Sequence, residues 1–121
     1  MHLPLKNQKM TQINWDDFEK IDLVAGTIIR VEDFPGLKNP AYKVWVDLGD
    51  EIGIKKSSAQ ITALYTKEEL PGKQVICVTN FPPKQIASFI SEVLITGFCV
   101  TNKEVVLAQP GRNVPNGSKL F

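Results

Sequence analysis

Histidine is almost missing from this 121-residue chain: His2 is the only one, and it stands beside the N-terminus. A Ser-His-Asp arrangement or a histidine-ligated zinc site therefore has almost no material, and most hydrolase chemistry is disfavoured. Cysteine is nearly as scarce. Cys77 and Cys99 lie in QVICVTN and TGFCVTN without a CxxC spacing, so both are expected as small core hydrophobes in a reducing compartment. Arginine is limited to Arg30 and Arg112 among 14 basic residues, which favours point-charge contacts to phosphate over bidentate reading of bases. No apolar run approaches the roughly 18 residues that span a bilayer, and MHLPLKNQKM lacks the apolar centre of a signal peptide. The expectation is a cytoplasmic protein without membrane insertion. A Gly-rich phosphate loop and a nucleophile elbow are also absent, so no enzymatic activity, cofactor or metal is expected. Asp47, Asp50 and Glu51 could suggest a hard-cation site, but two of them border a tight hairpin, and turn chemistry accounts for them.

With 43% hydrophobic and 22% charged residues, the chain has the composition of one globular domain, able to bury about two-thirds of its unfolded surface. Its net charge is only +1, but the charge is unevenly spread: residues 1–52 carry six Lys/Arg against nine Asp/Glu, and residues 53–121 carry eight against four. The later half is the basic half.

Residues 1–13 read as a flexible arm, and residues 14–121 as the domain. Asn14 can cap a short helix over WDDFEKI, because Asp16, Asp17 and Glu19 fall where the helix dipole favours negative charge. Trp15, Phe18 and Ile21 would form its apolar side, which must pack on the domain or on a second copy. Residues 22–33 alternate as a long strand, in which Gly26 suggests a bend or bulge. FPGLKNPA is a loop, YKVWVDL a second strand with Val44, Val46 and Leu48 on one face, and GDE a tight turn into a third strand, EIGIKKS. SSAQITALY has a helical rhythm, with Ser58 as its cap. KQVICVTN is a buried fourth strand. NFPPKQIASFIS is a proline-bearing connection to a fifth strand, EVLITGFCV, followed by VVLAQ and a tail with turn signals. This order predicts an all-β fold: a five-stranded OB-fold barrel with a short helix between strands three and four, a short terminal helix and a C-terminal extension. Its binding face would be flanked by loops 34–41 and 81–91.

Two stretches could carry binding chemistry. In Lys55-Lys56-Ser57-Ser58, adjacent lysines on a strand point to opposite faces, so only one can serve a given groove, and a helix start with hydroxyls and a lysine could cradle an anion. The alternative is that Ser58 only caps a helix and the lysines are solvated. In Asn80-Phe81-Pro82-Pro83-Lys84, the prolines stiffen the connection and hold Phe81 and Lys84 in fixed directions. An aromatic beside a lysine could stack on a base and attract phosphate, or could offer an apolar groove to an extended peptide. The bland alternative places Phe81 in the core.

Taken in order, DFEKIDLVAGTIIRVEDFPG, NPAYKVWVDLG, EIGIKKSSAQIT, GKQVICVTNFPPKQI, SEVLITG and VPNGSKL closely resemble the CsaA family. These are export-associated, chaperone-like proteins built on the tRNA-binding domain that is also appended to some methionyl- and phenylalanyl-tRNA synthetases. The resemblance runs from about Asp17 to Leu120. It implies an OB-fold homodimer joined through terminal segments, tRNA binding in the wider family, and binding of unfolded or pre-export polypeptides in the CsaA branch. It also implies roles for Lys43, in the first-loop motif; for Asn80 and Lys84, in an Asn-x-x-Pro-Lys/Arg motif; and for Ser91, which opens a Ser-x-Gly-Met motif. Glu92 follows in the CsaA manner, whereas Val93 and Leu94 replace the Gly and Met of the tRNA-binding relatives. The candidate binding set is thus Lys43, Lys55, Ser57, Ser58, Asn80, Phe81, Lys84, Ser91 and Glu92, with tRNA or polypeptide as cargo. A tRNA-binding adaptor for a partner enzyme is the alternative.

Overall fold

The computed structural model describes residues 10–121, so His2 and residues 1–9 of the expected arm lie outside the described residues. Asn14 caps the first helix reciprocally: its side chain accepts the Asp17 N–H at 2.8 Å, and the Asp17 carboxylate accepts the Asn14 N–H at 3.2 Å. The elements then run α1 (Trp15–Glu19), β1 (Leu23–Phe34), β2 (Ala41–Asp47), α2 (Gly49–Ile52), β3 (Ile54–Ala59), β4 (Gln74–Val78), β5 (Lys84–Ile86), β6 (Phe89–Ser91), β7 (Leu94–Ile95), β8 (Gly97–Cys99) and β9 (Val105–Leu107). Five of them form one antiparallel sheet, in the order β3-β2-β1-β4-β7. This is the curled sheet of an OB-fold.

The long β1 serves both halves of the curl. Its first part, Leu23 to Thr27, pairs with β4, and its later part, Thr27 to Phe34, pairs with β2. The bulge falls between Ile28 and Arg30, slightly beyond the Gly26 that the sequence suggested. Gly26 instead permits a close crossing. A Cβ there would lie 2.6 Å from Val46 Cγ1 and 2.8 Å from the Asp47 carbonyl oxygen, so only glycine lets β1 pass β2 so closely. The tail takes the edge of β1 that β2 leaves free. Ala25 donates its N–H to the Ser118 carbonyl at 2.9 Å, and Gly117 and Leu120 each donate to β1 carbonyls at 2.8 Å. Asn116 locks this arrangement, its side-chain oxygen accepting from the Thr27 hydroxyl at 2.7 Å and from the Gln74 amide at 3.2 Å. Inside the curl, Ile28, Val44, Val46, Leu48, Leu70, Val75 and Cys77 are wholly buried.

Four sequence expectations change. The segment after β3 is not a helix. Ser58 lies within the strand and residues 60–73 form turns, because Ile61 and Leu70 plug the barrel while Leu64, on the expected apolar side, stays exposed. Tertiary bonds replace helical ones there: the Tyr42 hydroxyl donates to the Tyr65 carbonyl at 2.7 Å, and the Leu107 N–H donates to the Tyr65 hydroxyl at 3.1 Å. Glu69 accepts from the Thr66 N–H and hydroxyl, which holds its carboxyl below the ordinary range. The GDE turn is one helical turn, α2, and Asp47 accepts the Gly49 N–H at 3.0 Å, which is turn chemistry. Connection 81–91 contains a hairpin, β5–β6, turned through Ala87 at φ +54°. The expected fifth strand is divided at Thr96, whose N–H and hydroxyl both donate to the Ile76 carbonyl of β4; beyond it the chain pairs separately as the β8–β9 ribbon.

That division separates the two cysteines. Cys77 is a core residue whose thiol burial pushes up to about 12, whereas Cys99 is exposed on the ribbon rather than in the core. A thiol-reactive chromogenic reagent at neutral pH is therefore expected to label one thiol per native chain rapidly, and both only after denaturation. Rapid native labelling of both would contradict the placement of Cys77.

Candidate nucleic-acid and polypeptide interface

Strand register decides which side chains share the outer face. Glu32 pairs with Lys43 and Lys43 with Ser58; one step along, Arg30 pairs with Trp45 and Trp45 with Lys56. Directly paired residues lie on the same side of a sheet, so Lys43, Trp45, Lys56 and Ser58 form one outward surface, while Val44, Val46 and Ser57 turn inward. Of the two adjacent lysines, Lys56 joins this surface. Lys55 is opposite Val46 on the other side, and Ser57 is 1% exposed against the core. Those two candidates are thus set apart from the remainder.

The lysines rest on aromatic rings. Lys43 Nζ lies 4.9 Å from the centre of the Phe34 ring and 5.7 Å from that of Phe89, and Lys56 Nζ lies 5.3 Å from Phe89 on its own account. Phe89 also meets Phe34 and Trp45 edge-on, at 5.4 and 6.1 Å between ring centres. Arg30 lies over Trp45 at 4.6 Å and pairs with Glu32. Each cation–ring contact is worth about 0.5–2 kcal/mol, depending on desolvation. Phe34 and Phe89 are buried, so these rings seat the two half-buried lysines on the sheet. Among the described residues, Lys43, Lys56 and Lys84 have no carboxylate within ion-pair distance, unlike Lys20, Arg30, Lys67 and Lys119.

Beside this surface opens a cleft of about 450 Å³, within the size range of ligand sites. Its apolar lining comes from Phe81, Pro82, Ile86, Val93 and Leu94, and its rim from Ser58, Lys84, Ser91 and Glu92. Phe81 is 55% exposed, so it lies outside the core. The β5–β6 hairpin pairs Lys84 with Ser91 and so brings the rim together. Val93 turns its side chain into the core, while Leu94 remains 48% exposed at the cleft.

Three candidates have structural roles. Asn80 accepts the Asp22 N–H at 3.0 Å and donates to the Lys20 carbonyl at 2.7 Å, clipping the end of α1 to the end of β4. Ser91 and Glu92 seal the outer edge of β3: the Ser58 N–H donates to the Ser91 hydroxyl at 3.0 Å, the Lys56 N–H donates to the Glu92 carboxylate at 3.1 Å, and the Glu92 N–H returns a bond to the Lys56 carbonyl at 2.8 Å. Sequence reasoning missed Arg30, Phe34 and Phe89, and of the adjacent lysines it carried Lys55 into the candidate set where the register puts Lys56 on this face. The alternation that sets Val44, Val46 and Leu48 on one face, and hence Lys43 and Trp45 on the other, was the available signal for the strand residues, whereas nothing local marked Phe89.

The curled sheet, its cationic face and the adjoining cleft define an OB-fold domain of the ligand-binding kind. Residues 23–119 match the family described as "Putative tRNA binding domain". The chain belongs to this tRNA-binding domain family. It is similar to the solved structures of the CsaA chaperones of Bacillus anthracis (44% identity, TM-score 0.86, covering 92% of this chain and 100% of that one) and Picrophilus torridus (50%, 0.83, 91% and 100%). It is also 34% identical to the methionine–tRNA ligase of Methanococcus aeolicus over 93% of its own length but 16% of that enzyme. The chain thus spans about a sixth of the length of the curated relatives it matches. Among the described residues, no helix is long and apolar enough to cross a membrane.

Removing the Glu92 carboxylate would leave the Lys56 N–H without its acceptor. Glu92→Ala is expected to lower unfolding free energy by about 1–3 kcal/mol, and Glu92→Gln, which keeps an amide oxygen, by clearly less. Urea midpoints for the two variants check this; equal losses would contradict the seam.

Proposed function

We propose that this chain is a non-enzymatic binding protein of the CsaA type: a cytoplasmic homodimer that binds tRNA and also holds unfolded or pre-export polypeptides. The observation that carries the reading is the adjacency of two unlike surfaces, ammonium groups set on buried rings and an apolar cleft lined by Phe81, Ile86 and Leu94. Charges held without carboxylate partners suit phosphates, and an apolar cleft behind a hairpin suits alternate side chains of an extended polypeptide. Within the candidate set, Lys43, Lys84, Ser58 and Phe81 are the residues to which contact with cargo is assigned; Lys56 is added to them.

Dimerisation is supported by apolar surface outside the barrel: Trp15 is 59% exposed, Phe98 64% and Phe121 91%. A second copy would cover part of it and double the number of binding faces. A second reading, an adaptor that attaches a partner enzyme to tRNA, is favoured by the likeness to one portion of methionine–tRNA ligases.

Affinity for bulk tRNA, titrated at several salt concentrations, is expected to fall steeply, and replacing Lys43 or Lys56 by Ala should lower the log–log salt slope by roughly 0.7–0.9 each. A salt-independent affinity would exclude phosphate contact. Sedimentation at micromolar concentration should give a mass near twice 13.5 kDa, and a stable monomer would refute the dimer.

A further inference from the structure

We propose that the two cargoes exclude one another, so that a polyanion on the sheet releases a polypeptide from the cleft. This inference rests on the two-cargo reading above. The observation behind it is that the cleft and the cationic face share their boundary. Lys84 pairs with Ser91, the Ser91 hydroxyl accepts the Ser58 N–H at 3.0 Å, and Ser58 pairs with Lys43. The side chains therefore run Lys84–Ser91–Ser58–Lys43 across the molecule. The first three line the cleft. Neighbouring strands are about 4.8 Å apart, so the two lysines at the ends of this row stand on the order of 15 Å apart, with the cleft rim between them.

A phosphate chain that reaches both Lys43 and Lys84 must lie across Ser58 and Ser91, where an extended peptide would enter. A peptide seated there covers Ser58 and Ser91 and removes Lys84 from water. The Lys43 and Lys56 ammonium groups are drawn toward this boundary, each lying over the buried Phe89 ring, and moving either away gives up that contact. The rim itself is fixed, since Ser91 and Glu92 are bonded to β3. Neither ligand can shift aside on so short a rim, and binding free energies couple reciprocally, so each must weaken the other by the same factor.

The test uses the full chain, bulk tRNA and a fluorescent eight-residue peptide alternating Leu and Ser, uncharged so that salt acts on the RNA alone. Each cargo is first titrated by itself. With tRNA at ten times its own Kd, the apparent Kd for the peptide should rise about 11-fold by mass action, and added salt should restore it. The double variant Lys43→Ala/Lys56→Ala should lose tRNA affinity, and its peptide Kd, first measured without tRNA, should no longer rise when tRNA is added. A ternary complex in which neither Kd moves would overturn the exclusion while leaving both cargoes in place. Displacement that persists undiminished in the double variant would also overturn it, because the RNA would be acting from another surface. Failure of either cargo to bind alone would overturn the two-cargo reading itself, and the exclusion with it.

Discussion

The outer edge of β3 has to be closed for anything else in this domain to work. A sheet edge presents backbone donors and acceptors that must find partners, and here a full ladder partner never arrives. Ser91 and Glu92 supply side-chain oxygens in its place, while the Glu92 N–H answers the Lys56 carbonyl. That seam holds the β5–β6 hairpin against β3, sets Phe89 behind Lys43 and Lys56, and forms one wall of the cleft. Residues expected from the resemblance to bind cargo thus act first of all as the fastening of the barrel.

Around Phe89 the chemistry of the face becomes consistent. Three aromatic rings meet edge-on and three cations lie over them. With the Phe34 and Phe89 rings buried and Arg30 over Trp45, the sheet offers ordered positive charge in preference to open aromatic faces. Phe81, displayed by the proline connection, is the exposed aromatic that lines the cleft. Positive charge and apolar surface are therefore sorted onto neighbouring places instead of being mixed.

The strands were largely legible because period-two alternation and turn residues are local signals. Val44, Val46 and Leu48 were placed together correctly, as was the Asn14 cap, and the exposed Phe81 agreed with the stiffness of Pro82 and Pro83. The helix expected after Ser58 failed for a tertiary reason: Ile61 and Leu70 gain more by plugging the barrel than a short, isolated helix gains from its own bonds. Cys99 misled because TGFCV reads like a core strand, yet Gly97–Cys99 form an exposed strand of the separate ribbon. At the site, alternation could state that only one of Lys55 and Lys56 serves a groove. It could not state which, because that depends on the register against β2.

Residue order alone determined an antiparallel barrel built from short alternating strands, a capped leading helix, two stiff proline connections and a later half richer in lysine. These follow from propensity, period and charge, which act over a few residues. Folding decided the rest: that Phe89 lies under two lysines from different strands, that Asn80, Ser91 and Glu92 spend their side chains on distant backbone, and that the cleft borders the cationic face. Those facts join residues more than thirty positions apart, and contacts of that span exist only once the sheet has curled and closed.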